Sequence, residues 1–381
     1  MHQRNTTQEM APSQRDDQPQ EMAPSQCDAQ PQESTPSIAV YSDRGRASMW
    51  VSRVLTELQD RDGPGGDWAR ELNIVHKRAL IPLREDATLD LDEVKAWARD
   101  DEADMTVVVT EIPRMAGRRP KRSELHCADS LGIISLPALG PLRVRKCLRR
   151  ELRICFDALG EGSNEEVQRH AGPMSQIENQ RGGDTVYTTA PRFMPARTWT
   201  TLGMVANNEP LWSLPKLSGV FSAAAATGAF GIFFSTIWEM ATFLPQWRLA
   251  AVSAIAVAVM VSWLILANRL WDRAGPGGKR EALMYNASTV ISLLVSVGIL
   301  YLMLFVSILL VGLLLIDPEF LGSTIGQEAT LASYVDIAWL SASMGTVAGA
   351  IGSNFDDDTD LKNLTQGSRE MQRYPRDAAQ R

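Results

Sequence analysis

Four apolar runs in the second half of the chain set its plan: Leu217–Trp238, Leu249–Asn268, Ala282–Ile316 and Ile337–Phe355. The third holds thirty-five residues without a formally charged side chain, more than the roughly 20 needed to cross a bilayer. Each run is read as a membrane span, so an all-α four-helix transmembrane domain is expected over 216–355. Ahead of the spans, residues 38–160 alternate short apolar stretches with helical spacing. Ile38–Tyr41 reads as a strand, Trp50, Val54, Leu55 and Leu58 as one helix face, and Leu72–Val75 as a second strand. Asp90–Arg99 predicts a helix with Leu91, Val94, Trp97 and Ala98 on its apolar side. The unbroken run Met105–Val109 is of the kind buried on both faces of a sheet.

This alternation predicts a three-layer α/β domain, Rossmann-like or flavodoxin-like, around a parallel sheet. Arg122–Cys127 and Gly132–Leu136, on either side of Ala128-Asp129-Ser130, predict a hairpin at the sheet edge. Leu142–Leu159 is an amphipathic helix with Leu148, Leu152, Cys155 and Leu159 inward. Its other face is basic: Arg143, Arg145, Lys146, Arg149, Arg150 and Arg153. Residues 161–215 read as a linker that ends in an interfacial segment, with Trp199, Leu202, Met204, Val205, Leu211 and Trp212 among polar neighbours.

The ends of the chain follow another pattern. Gln8-Glu9-Met10-Ala11-Pro12-Ser13-Gln14 recurs at Gln20–Gln26, and a third copy begins at Gln32. With almost no apolar position to bury, residues 1–37 are expected to be a disordered tail, as are 356–381. Residues 1–37 also lack the basic-then-apolar pattern of a signal peptide. The first span is then expected to act as its own insertion signal, with the α/β domain left in the cytoplasm.

The bulk averages conceal this division. A hydrophobic fraction of 45% and a mean hydropathy of −0.13 blend an apolar half with a polar one. A net charge of −7 disfavours nucleic acid as a partner. Cys27, Cys127, Cys147 and Cys155 form no CxxC pair, which excludes a zinc spacing or a disulfide framework.

Loop charge sets the expected orientation. The connection after the second run carries Arg269, Arg273, Lys279 and Arg280, that after the first only Arg248, and Asp317–Glu328 no cation. Both termini are therefore expected on the cytoplasmic side of a plasma (inner) membrane. Glu239 and Asp336 fall at the outer ends of the first and fourth runs. Gly219, Ala223, Thr227, Gly231 and Ser235, and likewise Ser341, Gly345, Gly349 and Ser353, form small-residue ladders. Such ladders predict close helix contacts, within a protomer or between copies in a homo-oligomer.

Candidate chemistry is sparse. In an open α/β sheet, ligands bind beyond the carboxyl ends of the strands. There Ser42, Asp43 and Gly45 would meet the loop carrying Arg114, Arg118 and Arg119 to form an anion site. The basic face at Arg143, Lys146, Arg150 and Arg153 would suit anionic lipid. No HExxH, GxSxG or dinucleotide fingerprint is present, and Gly275–Arg280 lacks both the hydroxyl residue and the strand of a P-loop. No metal, cofactor or catalytic residue is expected. A membrane-anchored sensing or interaction module leads. An enzyme or nucleotide-binding protein acting on an anionic ligand, and a small transporter, are the alternatives.

Four stretches, Ile38–Asp43, Ser135–Gly140, Leu202–Val205 and Pro215–Gly219, resemble an actinobacterial-type family of multi-pass membrane proteins. The likeness spans residues 38 to about 355. It implies a cytosolic N-terminal α/β domain joined to a small helical membrane domain, and it carries over no catalytic residue.

Overall fold

A computed structural model describes residues 36–59, 72–84, 88–116, 119–161, 175–180, 183–189, 195–208, 218–272 and 279–352. The repeat-bearing stretch before residue 36, the tail after 352, Arg118 and Trp212 lie outside them.

The N-terminal domain is built on one eight-stranded mixed sheet. In chain order come β1 (Ser37–Ser42), α1 (Arg46–Gln59), β2 (Asn73–Arg78), α2 (Leu91–Asp100), β3 (Met105–Thr110), β4 (Met115–Ala116) and β5 (Arg119–His126). They are followed by β6 (Leu131–Ser135), α3 (Leu136–Leu139), α4 (Val144–Glu161), β7 (Ser175–Gln180), β8 (Gly183–Thr189) and α5 (Ala196–Asn207). The spatial order is β2-β1-β3-β6-β5-β8-β7, with β4 paired to β5. The first four strands of that order run parallel, and the rest pair antiparallel.

Strand alternation sends residues to two cores. Ile38, Val40, Val107 and Val109 pack with α1 and α4, whereas Ala39, Tyr41 and Val108 pack with α2. All six residues of β3 are buried, as its unbroken apolar sequence requires. The polar strand β2 forms one edge, where its charged side chains discourage further pairing.

Two expectations are corrected here. The β5–β6 hairpin exists, but it is interior, because β8 pairs along the outer side of β5. Residues 161–215 are accordingly not a simple linker, since they contribute β7, β8 and α5. Their polar, weakly periodic sequence concealed strands whose stabilisation comes from main-chain pairing, of β8 to β5 and of β7 to β8, rather than from an apolar run.

The C-terminal part is helical: α6 (Ser218–Gly228), α7 (Phe230–Phe233), α8 (Ser235–Phe243), α9 (Gln246–Ala267), α10 (Lys279–Leu315), α11 (Pro318–Ile325) and α12 (Leu331–Gly352). Among the described residues, α9 and the Ala282–Leu315 portion of α10 are each long and apolar enough to cross a membrane, at mean hydropathies of 2.5 and 2.8. The first apolar run is not one straight helix. Residues Ser218–Phe233 and Ser235–Phe243 meet at 86° around Phe234, whose ψ of 109° is extended. The Trp238 indole N–H donates across the break to the Gly231 carbonyl at 2.8 Å.

Helix α12 is the inner helix of this part, which explains its weaker apolar character: Ser341, Ser343 and Thr346 are buried. Their hydroxyls donate to the carbonyls of Ile337, Trp339 and Ala342, so no polar group is stranded. A Cβ on Gly345 would lie 2.5 Å from the Ala224 carbonyl oxygen of α6. The Ser341–Gly345–Gly349 ladder is thus covered by α6 and α7 of the same chain. The row it meets on α6 is Val220, Ala224 and Gly228, one position along from the ladder read in the sequence. Ser253, Tyr301, Trp339 and Ser343 tie α9, α10 and α12 together: the Tyr301 hydroxyl lies 3.0 Å from that of Ser253 and 2.9 Å from that of Ser343. Asp336 sits within α12 and accepts from the Gln246 side chain at 3.0 Å.

Candidate functional site

The parallel strands end where ligands of α/β folds usually bind, at the point where the strand order reverses between β1 and β3. In this chain that point is filled by the protein's own carboxylates. Asp43 is fully buried. It accepts from the Thr110 hydroxyl at 2.8 Å, from the Glu111 amide at 2.7 Å and from the Ile81 amide at 3.2 Å. Glu111, also buried, reaches back to the first turn of α1 and accepts from the Ala47 amide at 3.1 Å. A helix N-terminus attracts an anion through its unpaired amides and dipole, and here the anion at Ala47 is a side chain.

The residues expected to form an anion site are therefore not all brought together. Ser42 is held against His76, Oγ to Nε2 2.8 Å, and burial, with a smaller push from Arg78, keeps His76 below its ordinary value of 6.5. Arg114 turns away to Glu124 at 2.5 Å. Burial pushes Glu124 upward, but Arg114, Lys121 and His126 outweigh it and hold the carboxyl below its usual range. Lys121 lies 3.3 Å from Glu124 and stacks over the Tyr187 ring at 4.7 Å. Arg119 opens β5, paired with Ala116 of β4. On α4, Arg145 and Arg149 bridge to Glu57 at 3.1 and 3.7 Å and Arg153 pairs with Asp157 at 3.6 Å. Lys146, Arg150 and Arg143 stay exposed.

Sequence reasoning missed a different cluster. Beside the first turns of α1, an open cleft of about 530 Å³ is lined by Arg44, Gly45, Ser48, Ser52, Arg53 and Arg78. That volume falls within the roughly 300–1,000 Å³ of ordinary ligand pockets. Arg78 joins it because the parallel register sets Ser42 opposite Arg78 at the end of β2. Nothing local in the sequence signals that neighbourhood. Ser48 is buried, with 4% of the residue exposed, and its Oγ has no hydrogen-bond partner.

Helix α5 connects this edge to the helical part. A Cβ on Gly203 would lie 2.1 Å from the Pro137 carbonyl oxygen of α3, so the two backbones are in direct contact. Arg46, in the first turn of α1, donates to the Ala206 carbonyl of α5 at 2.8 Å. Beyond α5, the Asn208 side-chain Nδ2 donates to the hydroxyls of Ser288 and Ser292 of α10 at 3.3 and 3.1 Å, and Met204 packs with Met284 and Tyr285. The carboxyl edge of the sheet is thereby docked onto α10 through α5. Among the described residues, no three His, Cys, Asp or Glu side chains gather as a metal site would require.

Comparison with protein-family models, with curated proteins and with solved structures returns no match for this chain.

Proposed function

We propose that the protein is a membrane-anchored sensing or interaction module, with a flavodoxin-like cytosolic domain coupled mechanically to a four-span bundle. The observation that carries this reading is the α5 bridge: Arg46 to Ala206 on one side, Asn208 to Ser288 and Ser292 on the other. A domain merely tethered by a flexible linker needs no such chain of directional bonds. The four spans are α6–α8 as one broken span, then α9, α10 and α12.

Orientation follows from charge and length together. Helix α10 has 37 residues, about 56 Å of helix, against a hydrocarbon core of about 30 Å. Its polar first part, with Asn286, Ser288, Thr289 and Ser292 buried, therefore extends toward α5 and the α/β domain. The connection that leads in sequence into that end is basic, so the domain and the positive charge share the cytoplasmic side.

Two measurements test this. With native cysteines replaced, a cysteine at Gly277 should resist an impermeant thiol reagent in intact cells while one at Gln327 reacts; the reverse pattern would overturn the orientation. In the purified full chain, Arg46→Ala should speed hydrogen exchange at residues 284–292, which it does not touch. Unchanged exchange there would overturn the coupling.

A further inference from the structure

We propose that the cleft beside α1 binds a phosphate-type oxyanion, and that this is the stimulus for the module described above; the inference rests on that reading for its consequence, not for its chemistry. Three guanidiniums, from Arg44, Arg53 and Arg78, line the cleft with no acidic residue among its lining side chains. In a chain of net charge −7, that concentration of one sign needs a partner. Arginine forks match phosphate oxygens in pairs and remain charged at any physiological pH.

The second, independent pointer is Ser48. Its hydroxyl is buried, lines the same cleft and has no hydrogen-bond partner. A buried hydroxyl left without a partner costs free energy that a ligand oxygen would recover. Glu111 does not block this site, because its carboxylate engages the Ala47 amide on the inner side of the turn, whereas the three arginines are exposed. Gly45, at φ 106°, turns the chain between Arg44 and α1 where another residue would be strained.

The cleft also adjoins the coupling path. Arg46 lies between the cleft residues Gly45 and Ser48, stacks over Trp50 at 5.9 Å and holds Ala206 of α5. Arg53 shares the same indole at 5.6 Å. An anion that draws Arg53 into the cleft would alter the Trp50 contact shared with Arg46, and so bear on the bond that reaches α5 and then α10.

The oxyanion could come from a soluble phosphate or from an anionic lipid headgroup, and the test separates them. Full-length protein in neutral-detergent micelles is titrated with pyrophosphate, and in parallel placed in nanodiscs of phosphatidylcholine with or without phosphatidylglycerol. Hydrogen exchange is read at residues 44–53 and 284–292. Pyrophosphate should slow exchange at 44–53, with affinity falling at least tenfold in Arg44→Gln/Arg78→Gln and severalfold in Ser48→Ala. Protection by phosphatidylglycerol alone, lost in the same variants, would assign a headgroup instead. Should the double variant misfold by circular dichroism, Ser48→Ala decides the matter.

No protection by either probe, or protection untouched by these substitutions, overturns the anion site. Protection at 44–53 without any change at 284–292 keeps the anion site and overturns the sensing reading. Failure of the anion site leaves the Arg46→Ala result to judge that reading separately.

Discussion

Gly203→Ala adds one methyl group at the contact between α5 and α3. The new Cβ would stand 2.1 Å from the Pro137 carbonyl oxygen and 3.0 Å from its carbon. An ordinary carbon–oxygen contact is about 3.3 Å or longer, so α5 must retreat by roughly 1.2 Å or α3 must give way. Overpacking of this kind costs about 1–3 kcal/mol, while alanine in place of a helical glycine returns about 1 kcal/mol. The net effect is a loss of up to about 2 kcal/mol, or a melting point lower by up to a few degrees for a domain of this size. Gly160→Ala provides the control, because its Cβ meets nothing within 4 Å in helix α4. The same chemical change there should raise stability by about 0.5–1 kcal/mol. Both variants would be compared as purified full-length protein by intrinsic-fluorescence unfolding at one fixed scan rate, since such unfolding is often irreversible. Exchange at 196–208 and 284–292 should quicken in Gly203→Ala only. If both substitutions stabilise the protein, the backbone contact between α3 and α5 does not hold the carboxyl edge to α10.

Tyr301→Phe removes the hydroxyl shared by Ser253, Ser343 and the Trp339 carbonyl. It should cost about 0.6–2 kcal/mol in a detergent-unfolding titration, and no loss would mean the knot is dispensable. Glu124→Gln removes the buried carboxylate that Arg114 and Lys121 share and should destabilise by about 3 kcal/mol in thermal unfolding; a neutral result would show that this charge cluster contributes nothing net to stability. Acid should weaken the fold in two steps. Burial is the leading cause that keeps both His76 and His126 below 6.5, although Glu124 opposes it at His126. Below that pH the unfolded chain binds more protons, so stability is full above about 6.5 and is lost as pH falls. Glu124, held below 4.5, adds a second loss at lower pH, because its stabilisation is present above 4.5 and disappears as the folded carboxyl protonates. A melting point that stays level from about pH 7.5 to pH 5 would refute the histidine assignment, and one that stays level from about pH 5 down to about pH 2 would refute that of Glu124.

The sequence by itself determined what local patterning can determine. Ile38–Tyr41 and Met105–Val109 are strands because nearly every side chain is apolar and both faces of the sheet are covered. Helices α1, α2 and α4 follow from apolar positions recurring at helical spacing, and α9 and α10 from length and apolar content alone. These features depend on transfer of side chains out of water, which each residue reports independently.

Only the tertiary structure decided the rest. Strand β8 owes its place to main-chain bonds with β5, and β7 to bonds with β8, to which side-chain hydropathy is blind. The 86° break at Phe234 carries no proline, and the Trp238-to-Gly231 bond that spans it joins residues seven apart. The acceptors of the switch point are likewise non-local: Asp43 meets Thr110, Glu111 and Ile81, and Glu111 meets Ala47. Arg114 looked like a ligand arginine until Glu124, ten residues on, claimed it. Arg78 became a cleft residue only through the parallel register of β2 on β1. Charge and hydrogen-bonding capacity can be read from a sequence, but which donor meets which acceptor is set by strand order and helix docking.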